Sequence, residues 1–222
     1  MDNVKDDFYY AKRLLMSIER TSNYLKGKSM DDLMNDGYLC DAIENRFTKI
    51  AEDAEHLTKE FKESINVIPW HGIASIRNRV CHDYDVVDYS ILYKTIKINF
   101  PQFRKVLLDA FGTVRMNLRS NPFELIKAKR KTIEMRLLDE KRKKLNIGDL
   151  IIFSNVETKE EIIAEVVNLN SYASFEELYA NYKKSELGYK DNESANSSDM
   201  LEYYSKENIL KYGVLAIEIR TY

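Results

Sequence analysis

The sequence predicts an α+β protein of two domains: a helical bundle over residues 1–112 and a β-rich, barrel-like domain with short helices over residues 113–222. Apolar residues recur at spacings of three and four through the first half, the mark of amphipathic helices. Around Phe111-Gly112-Thr113 that period stops and short segments rich in β-branched and aromatic residues begin. A chain of 222 residues also suits two domains of the usual size better than one.

Phe8, Leu14, Leu15, Ile18 and Leu25 form one stripe of a first helix, which Gly27 can end. Ser29-Met30-Asp31-Asp32 has the pattern of a helix cap. One long helix is expected to carry Leu39, Ala42, Ile43, Phe47, Ile50, Ala54, Leu57 and Phe61, ending before Asn66 and Pro69. A helix starting at Trp70 has Ile73, Ile76 and Val80 on its apolar face. After an acidic loop with Asp83, Asp85 and Asp88, a last helix carries Ile91, Leu92, Ile96, Ile98, Phe103, Val106 and Leu107, and Pro101 should kink or interrupt it.

In the second half, strands are expected at 114–118, 131–137, 150–153, 162–169 and 214–219, with helices beginning at Asn121-Pro122 and spanning 175–182. Asn146-Ile147-Gly148-Asp149 reads as a turn. Residues 186–199, rich in Ser, Asn, Asp and Gly, read as a mobile excursion.

Hydrophobic residues make up 44% and charged residues 32% of the chain, a balance that excludes global disorder. Met1-Asp2-Asn3-Val4-Lys5-Asp6-Asp7 has neither the basic start nor the apolar run of a secretion signal, and no stretch approaches the roughly 18 apolar residues of a membrane span. A cytoplasmic protein without membrane association is expected. Cys40 and Cys81 lack C-x-x-C spacing, so they read as buried reduced thiols, with no disulfide framework, metal site or cofactor expected. The net charge of −2 conceals a segregation: residues 114–145 hold 11 Lys and Arg against 4 Asp and Glu, whereas residues 146–222 hold 7 against 14.

The chemistry-bearing stretch of the first half is Ile68-Pro69-Trp70-His71-Gly72-Ile73-Ala74-Ser75-Ile76-Arg77-Asn78-Arg79-Val80-Cys81-His82-Asp83-Tyr84. Histidine gives and takes protons near neutrality, and arginine is a fork for phosphate oxygens, so Arg77 with His82 suits phosphodiester cleavage. On a continuous helix the two would lie about 140° apart, so they converge only if the helix ends or unwinds near Val80-Cys81. Attack by an RNA 2′-hydroxyl benefits from both a base and an acid, yet the motif supplies one suitable histidine. A two-fold dimer would bring two copies of Arg77 and His82 to one cleft. His71, beside Trp70, reads as structural, and His56 as a residue of a solvated helix face.

Arg77 to His82 resembles the Arg-x4–6-His signature of HEPN ribonucleases, and His82-Asp83-Tyr84 resembles the His-x-Tyr extension of HepT-like toxins. Ile68-Pro69-Trp70, the acidic loop and the Pro101-bearing helix are similar to that family too. The resemblance implies a HEPN-type helical domain and a homodimeric, metal-independent RNase toxin, with Arg77 and His82 catalytic and Asn78 as the polar residue after the arginine. It also implies a partner, a minimal nucleotidyltransferase antitoxin that transfers AMP to Tyr84. A nucleotide there would put bulk and negative charge beside His82, in a cleft meant for phosphate.

In the second half, a strand over 131–137 would point Thr132, Glu134 and Arg136 one way and Lys131, Ile133 and Met135 the other. A Glu–Arg pair on one face can offer an acceptor and a fork donor to a base or ribose. With Lys129, Arg130 and Lys141-Arg142-Lys143-Lys144 it makes a candidate RNA- or nucleotide-binding surface; a lysine-rich loop can equally be simply solvated. The segment resembles the Gly-x-Lys-x-x-Glu-x-Arg signature of the ASCH domain, a PUA-like barrel associated with RNA binding. It matches at Lys131, Glu134 and Arg136, with Lys129 where glycine is usual. Residues 148–153 and 212–219 also look like that family. Some ASCH proteins are amidohydrolases of acetylated cytidine acting through Lys, a Thr nucleophile and Glu. Here Glu134 occupies the nucleophile's position and Thr132 lies two residues away. The resulting expectation is a metal-independent endoribonuclease toxin whose ASCH domain binds RNA, such as tRNA or mRNA, or a nucleotide. The alternatives are a non-catalytic RNA-binding and dimerisation protein and a nucleoside amidohydrolase.

Overall fold

A computed structural model describes residues 6–75 and 87–221. The chain divides into two compact units, Met1–Phe111 and Gly112–Tyr222.

The first unit is helical. Helix α1 (Asp7–Tyr24) begins where the Asp6 carboxylate accepts the Tyr9 N–H at 2.9 Å, an N-cap that satisfies an otherwise open donor. Helix α2 (Met30–Met34) starts with a full capping box, in which the Ser29 hydroxyl and the Asp32 carboxylate each bond the other's backbone N–H. Helix α3 (Gly37–Glu55) and helix α4 (Lys59–Ser64) replace the single long helix expected there. The break has a local cause: Thr58 leaves the helix to cap α4, its hydroxyl accepting the Phe61 N–H at 3.2 Å. Asp7 holds that cap in place, accepting both the Thr58 N–H at 2.7 Å and its hydroxyl at 2.6 Å.

Helix α5 is described over residues 70–75, followed after the undescribed stretch by α6 (Tyr89–Lys94) and α7 (Phe100–Ala110). Between the last two, residues Thr95–Asn99 form a π-turn. The expected disturbance at Pro101 therefore takes the form of a widened turn just before it. Proline offers no N–H and its ring crowds the preceding turn, and a wider turn absorbs both without breaking the rod. Leu14, Leu15, Ile18, Ile43, Phe47, Ile50, Phe100 and Leu107 are fully or almost fully buried where α1, α3 and α7 meet. Full burial of each such side chain is worth about 1.5–3 kcal/mol. Phe8, read as part of the α1 stripe, is instead 54% exposed in the first turn.

The second unit is a curled five-stranded sheet, a half-barrel, with short helices. Strands β1 (Val114–Leu118), β2 (Ile133–Leu137), β3 (Leu150–Asn155), β4 (Glu161–Tyr172) and β5 (Val214–Thr221) lie in the order β1-β3-β4-β5-β2. Only β1 and β3 run parallel. The long β4 pairs with β3 through its first half and with β5 along most of its length, and a bulge between Val166 and Asn168 bends it. Along β5 the side chains alternate between two cores: Leu215, Ile217 and Ile219 join Phe123, Ile126, Ile151 and Phe153, while Val214 and Ala216 join Ile133, Met135, Phe175 and Leu178.

Helix α8 (Ser120–Lys127) has Pro122 at its third position rather than its first. Helices α9 (Phe175–Asn181), α10 (Lys184–Leu187) and α11 (Lys206–Tyr212) cover the second core. The expected excursion over residues 186–199 is pinned. Lys184 Nζ donates to the carbonyls of Asp191 at 2.6 Å and Glu193 at 3.1 Å, and the Tyr189 hydroxyl donates to Asp199 Oδ2 at 2.8 Å. Its polar composition is spent on bonds within the loop itself, a use that composition alone does not distinguish from solvation.

Candidate functional site

The residues expected to cut RNA, Arg77, Asn78 and His82, lie outside the described residues, as do the AMP acceptor Tyr84 and Cys81. The approach to them is described. Ile68 and Ile73 are buried, and the Trp70 indole N–H is shared between the carbonyls of Lys62 at 3.0 Å and Ile65 at 3.2 Å, covering open acceptors at the end of α4. Trp70 thus anchors the start of α5. His71 is exposed, and His56 is an exposed residue whose ring stacks on Tyr10 with centroids 4.5 Å apart.

In the second unit the signature residues build a definite site. The half-barrel is open between its edge strands β1 and β2, and the Arg136 side chain spans the gap. Its Nη2 donates to the Asn117 carbonyl on β1 at 2.8 Å, and its Nε donates to Glu134 Oε1 at 2.8 Å. Lys131 Nζ lies 2.9 Å from Glu134 Oε2. That contact is an ion pair outside hydrogen-bond geometry, so Oε2 has no hydrogen bond of its own.

Glu134 is 3% exposed and Lys131 8%. Burial pushes the Glu134 carboxyl up, but the charges of Lys131 and Arg136 outweigh it and hold the group below the ordinary carboxylate range. Burial likewise acts to lower the Arg136 guanidinium, and the facing Glu134 carboxylate raises it overall. Glu134 and Arg136 are therefore charged at neutral pH, and Lys131 stands beside them in a buried triad.

The triad disproves one expectation of strict alternation. Lys131 precedes β2, which begins at Ile133, so the pleat does not dictate its direction and its ammonium turns to the Glu134 side. Thr132 does not line the cavity described below: its N–H donates to the Glu186 carbonyl at 3.0 Å and its carbonyl accepts from Ile219 at 2.8 Å. Lys129 and Arg130 are exposed and outside the cavity as well. Lys129 holds φ at +58°, the left-handed backbone that explains why glycine suits its place in the signature.

The triad forms the inner end of a cavity of ≈ 440 Å³. Asn117 and Leu118 of β1, Leu125 of α8 and Met135 of β2 contribute to the wall, and the other side is closed by Leu187, Tyr189, Met200, Tyr203 and Tyr204 from the pinned loop and its continuation. The tyrosines are locked. The Tyr179 and Tyr189 hydroxyls are 2.9 Å apart, Tyr204 stacks on Phe175, and the Arg119 guanidinium lies 4.7 Å from the centre of the Tyr203 ring. Burial pushes the Tyr179, Tyr189 and Tyr204 phenols up, so they stay neutral donors. Apart from Met135, none of these wall residues is singled out by the sequence. Only the density of tyrosine between 172 and 204 hints at them.

Much of the basic block is consumed internally. Arg115 pairs with Glu161, Arg119 with Glu202, Lys127 with Glu160, Arg142 with Asp139 and Lys143 with Glu140. Among the described residues, Lys129, Arg130 and Lys144 form no ion pair. No group of three or more His, Cys, Asp or Glu side chains among the described residues is placed to hold a metal, and no helix among them is long and apolar enough to cross a membrane.

Comparison with known proteins follows this division of the chain. Residues 14–109 match the family described as "Ribonuclease HepT-like", and residues 116–221 match the ASCH domain. A "putative RNase" of Caldanaerobacter subterraneus subsp. tengcongensis is 32% identical over 96 residues, 43% of this chain and 86% of the relative. A Methanocaldococcus jannaschii protein named gamma-glutamylcyclotransferase and "putative RNase" is 31% identical over 113 residues, 51% of this chain, and the match spans 51% of that relative's length. A solution structure of a protein from Pyrococcus furiosus is 33% identical, covering 49% of this chain and 96% of that one, with a TM-score of 0.39. Through its helical half the chain belongs to the HepT-like ribonuclease family, and to that half it joins an ASCH domain.

Proposed function

We propose that this protein is an endoribonuclease that cuts RNA without a metal, by attack of the 2′-hydroxyl on the adjacent phosphate. The reading is carried by one observation: the Arg77-x4-His82-x-Tyr84 spacing lies within the residues that match the HepT-like family. In this mechanism His82 of one protomer takes the 2′-hydroxyl proton, and its counterpart in a homodimer protonates the departing 5′-oxygen. Arg77 faces the charge that builds on the phosphorane, and Asn78 supplies a further polar contact to the phosphate. The ASCH domain binds the RNA or a nucleotide and raises the local concentration of substrate without adding a catalytic group. As a toxin, the protein would be silenced by a minimal nucleotidyltransferase that places AMP on Tyr84.

The decisive experiment incubates the purified chain with tRNA and with mRNA in EDTA. Cleavage should occur and should vanish in His82→Ala while sedimentation shows an unchanged dimer. Undiminished cleavage by that variant would overturn the assignment. The amidohydrolase alternative finds little support in the ASCH unit, where Thr132 is outside the cavity and Glu134 is bound between two cations.

A further inference from the structure

The helical unit holds an open groove of its own, ≈ 790 Å³ in volume, among α3, α4 and α5. That size falls within the range of ligand clefts, roughly 300–1,000 Å³. Ala51 and Ala54 of α3, both buried, contribute its floor, and Lys59 and Lys62 of α4 face Trp70 and Ala74 of α5 across it.

Trp70 is the one tryptophan of the chain. Its indole N–H is taken by the carbonyls of Lys62 and Ile65, which ties the ring to α4 and leaves it no polar group to offer. What Trp70 presents to the groove is therefore a fixed aromatic surface. Such a surface suits a flat ring and does not select among bases, because every base has a π-face. The charges on the lining are mixed, with Glu55 on the α3 side. Along α4, Lys59 pairs with Glu63 at 3.6 Å, whereas Lys62 makes no ion pair among the described residues. An apolar floor beside one unpaired cation fits a base with its phosphate left at the rim.

The sequence connects this groove to the residues that the proposed reaction needs. Trp70 and Ala74 are four apart, and Arg77 and Asn78 follow Ala74 by three and four positions, the spacing that shares one face of a helix. On a helix each step from Ala74 is about 5 Å along the axis. We propose that the groove is a substrate subsite, in which one unpaired base of single-stranded RNA lies against Trp70 and the adjoining phosphate is passed to Arg77 and Asn78. The proposal rests on the ribonuclease reading and adds a requirement to it: the nucleotide beside the cut must be unpaired, since a base held within a duplex cannot enter the groove.

The test follows the fluorescence of Trp70 in the full chain carrying His82→Ala, so that RNA stays intact. The probes are single-stranded oligoadenylate and oligouridylate, the duplex of the two, and an abasic oligonucleotide of the same length. Both single strands should quench the indole saturably, and the duplex should not. The abasic strand should bind at least about fivefold more weakly, the low end of what one stacked base contributes, and without quenching. Ala74→Phe, which fills the groove beside Trp70, should remove the quenching. With His82 intact, the same substitution should raise KM for tRNA cleavage at least about fivefold and leave kcat within about twofold, the pattern of lost ground-state binding. Ala74→Ser should behave as the parent in both assays. Where Ala74→Phe fails to fold by circular dichroism, Lys62→Glu at the rim decides through the same rise in KM. Quenching by the abasic strand or the duplex equal to that by the single strands overturns the proposal. So does a folded Ala74→Phe that sediments as a monomer where the parent is a dimer, which would make the groove an interface between copies. Absence of quenching by either single strand, while the wild-type chain cleaves tRNA in EDTA, overturns the subsite and leaves the ribonuclease reading standing. Absence of cleavage by the wild-type chain overturns that reading and the proposal with it.

Discussion

Two buried carboxylates, one in each unit, show how the number of facing cations decides what a residue does. Asp53 of α3 is 2% exposed and faces one cation, Arg13, at 2.8 Å. Burial outweighs that single, half-exposed guanidinium, and the Asp53 carboxyl is raised. Glu134 faces two cations and is lowered. The consequence for stability has a definite sign. Because the folded-state pKa of Glu134 lies below its unfolded value, its contribution is fully present above about pH 4.3, the ordinary glutamate pKa, and is lost as pH falls through the folded value. Glu134→Gln leaves Lys131 and Arg136 buried without a counter-charge, and it should cost about 3–5 kcal/mol in urea unfolding at pH 7. The gap to wild type should narrow as the pH is taken below 4. Tyr84 belongs to the same scale. After exposure to a cognate nucleotidyltransferase and ATP, intact mass should rise by one AMP in wild type and stay unchanged in Tyr84→Phe.

Among the elements, local chemistry was legible where one side chain suffices. The Ser29–Asp32 capping box and the turn at Asn146–Asp149, closed by the Asp149 carboxylate accepting the Asn146 N–H at 2.8 Å, follow from residue types alone. Less legible was the division of residues 39–61 into α3 and α4, because the apolar spacing continues through the break and the Thr58 cap is held in part by two bonds to distant Asp7. Lys129 is an element-scale compromise. It ends the α8 segment with φ +58°, a conformation that costs an L-residue about 1–2 kcal/mol. Lys129→Gly should therefore raise stability by about 1 kcal/mol in denaturant unfolding. A loss of stability would mean that the lysine side chain makes a compensating contact.

For the whole molecule, the helical half matches the HepT-like family and holds the Arg77-x4-His82 spacing, and the ASCH half holds a cavity of ≈ 440 Å³. The homodimer reading makes cleavage depend on concentration. Activity per protomer should fall on dilution through the dimer dissociation constant, in step with sedimentation, and activity that is constant while the protein becomes monomeric would refute a shared cleft. Periodicity by itself determined the two-part α+β architecture, and the resemblance of short motifs to known families pointed to the RNase family and to the Lys131, Glu134 and Arg136 set, because each depends on residues near one another in the chain. Only the tertiary structure decided that Lys131 turns to Glu134, that Arg136 bridges the open edge of the half-barrel to Asn117, and that acidic and tyrosine residues up to 70 positions downstream wall the cavity. Those outcomes depend on which distant segments share a low-dielectric space, and neither helical nor strand periodicity encodes that.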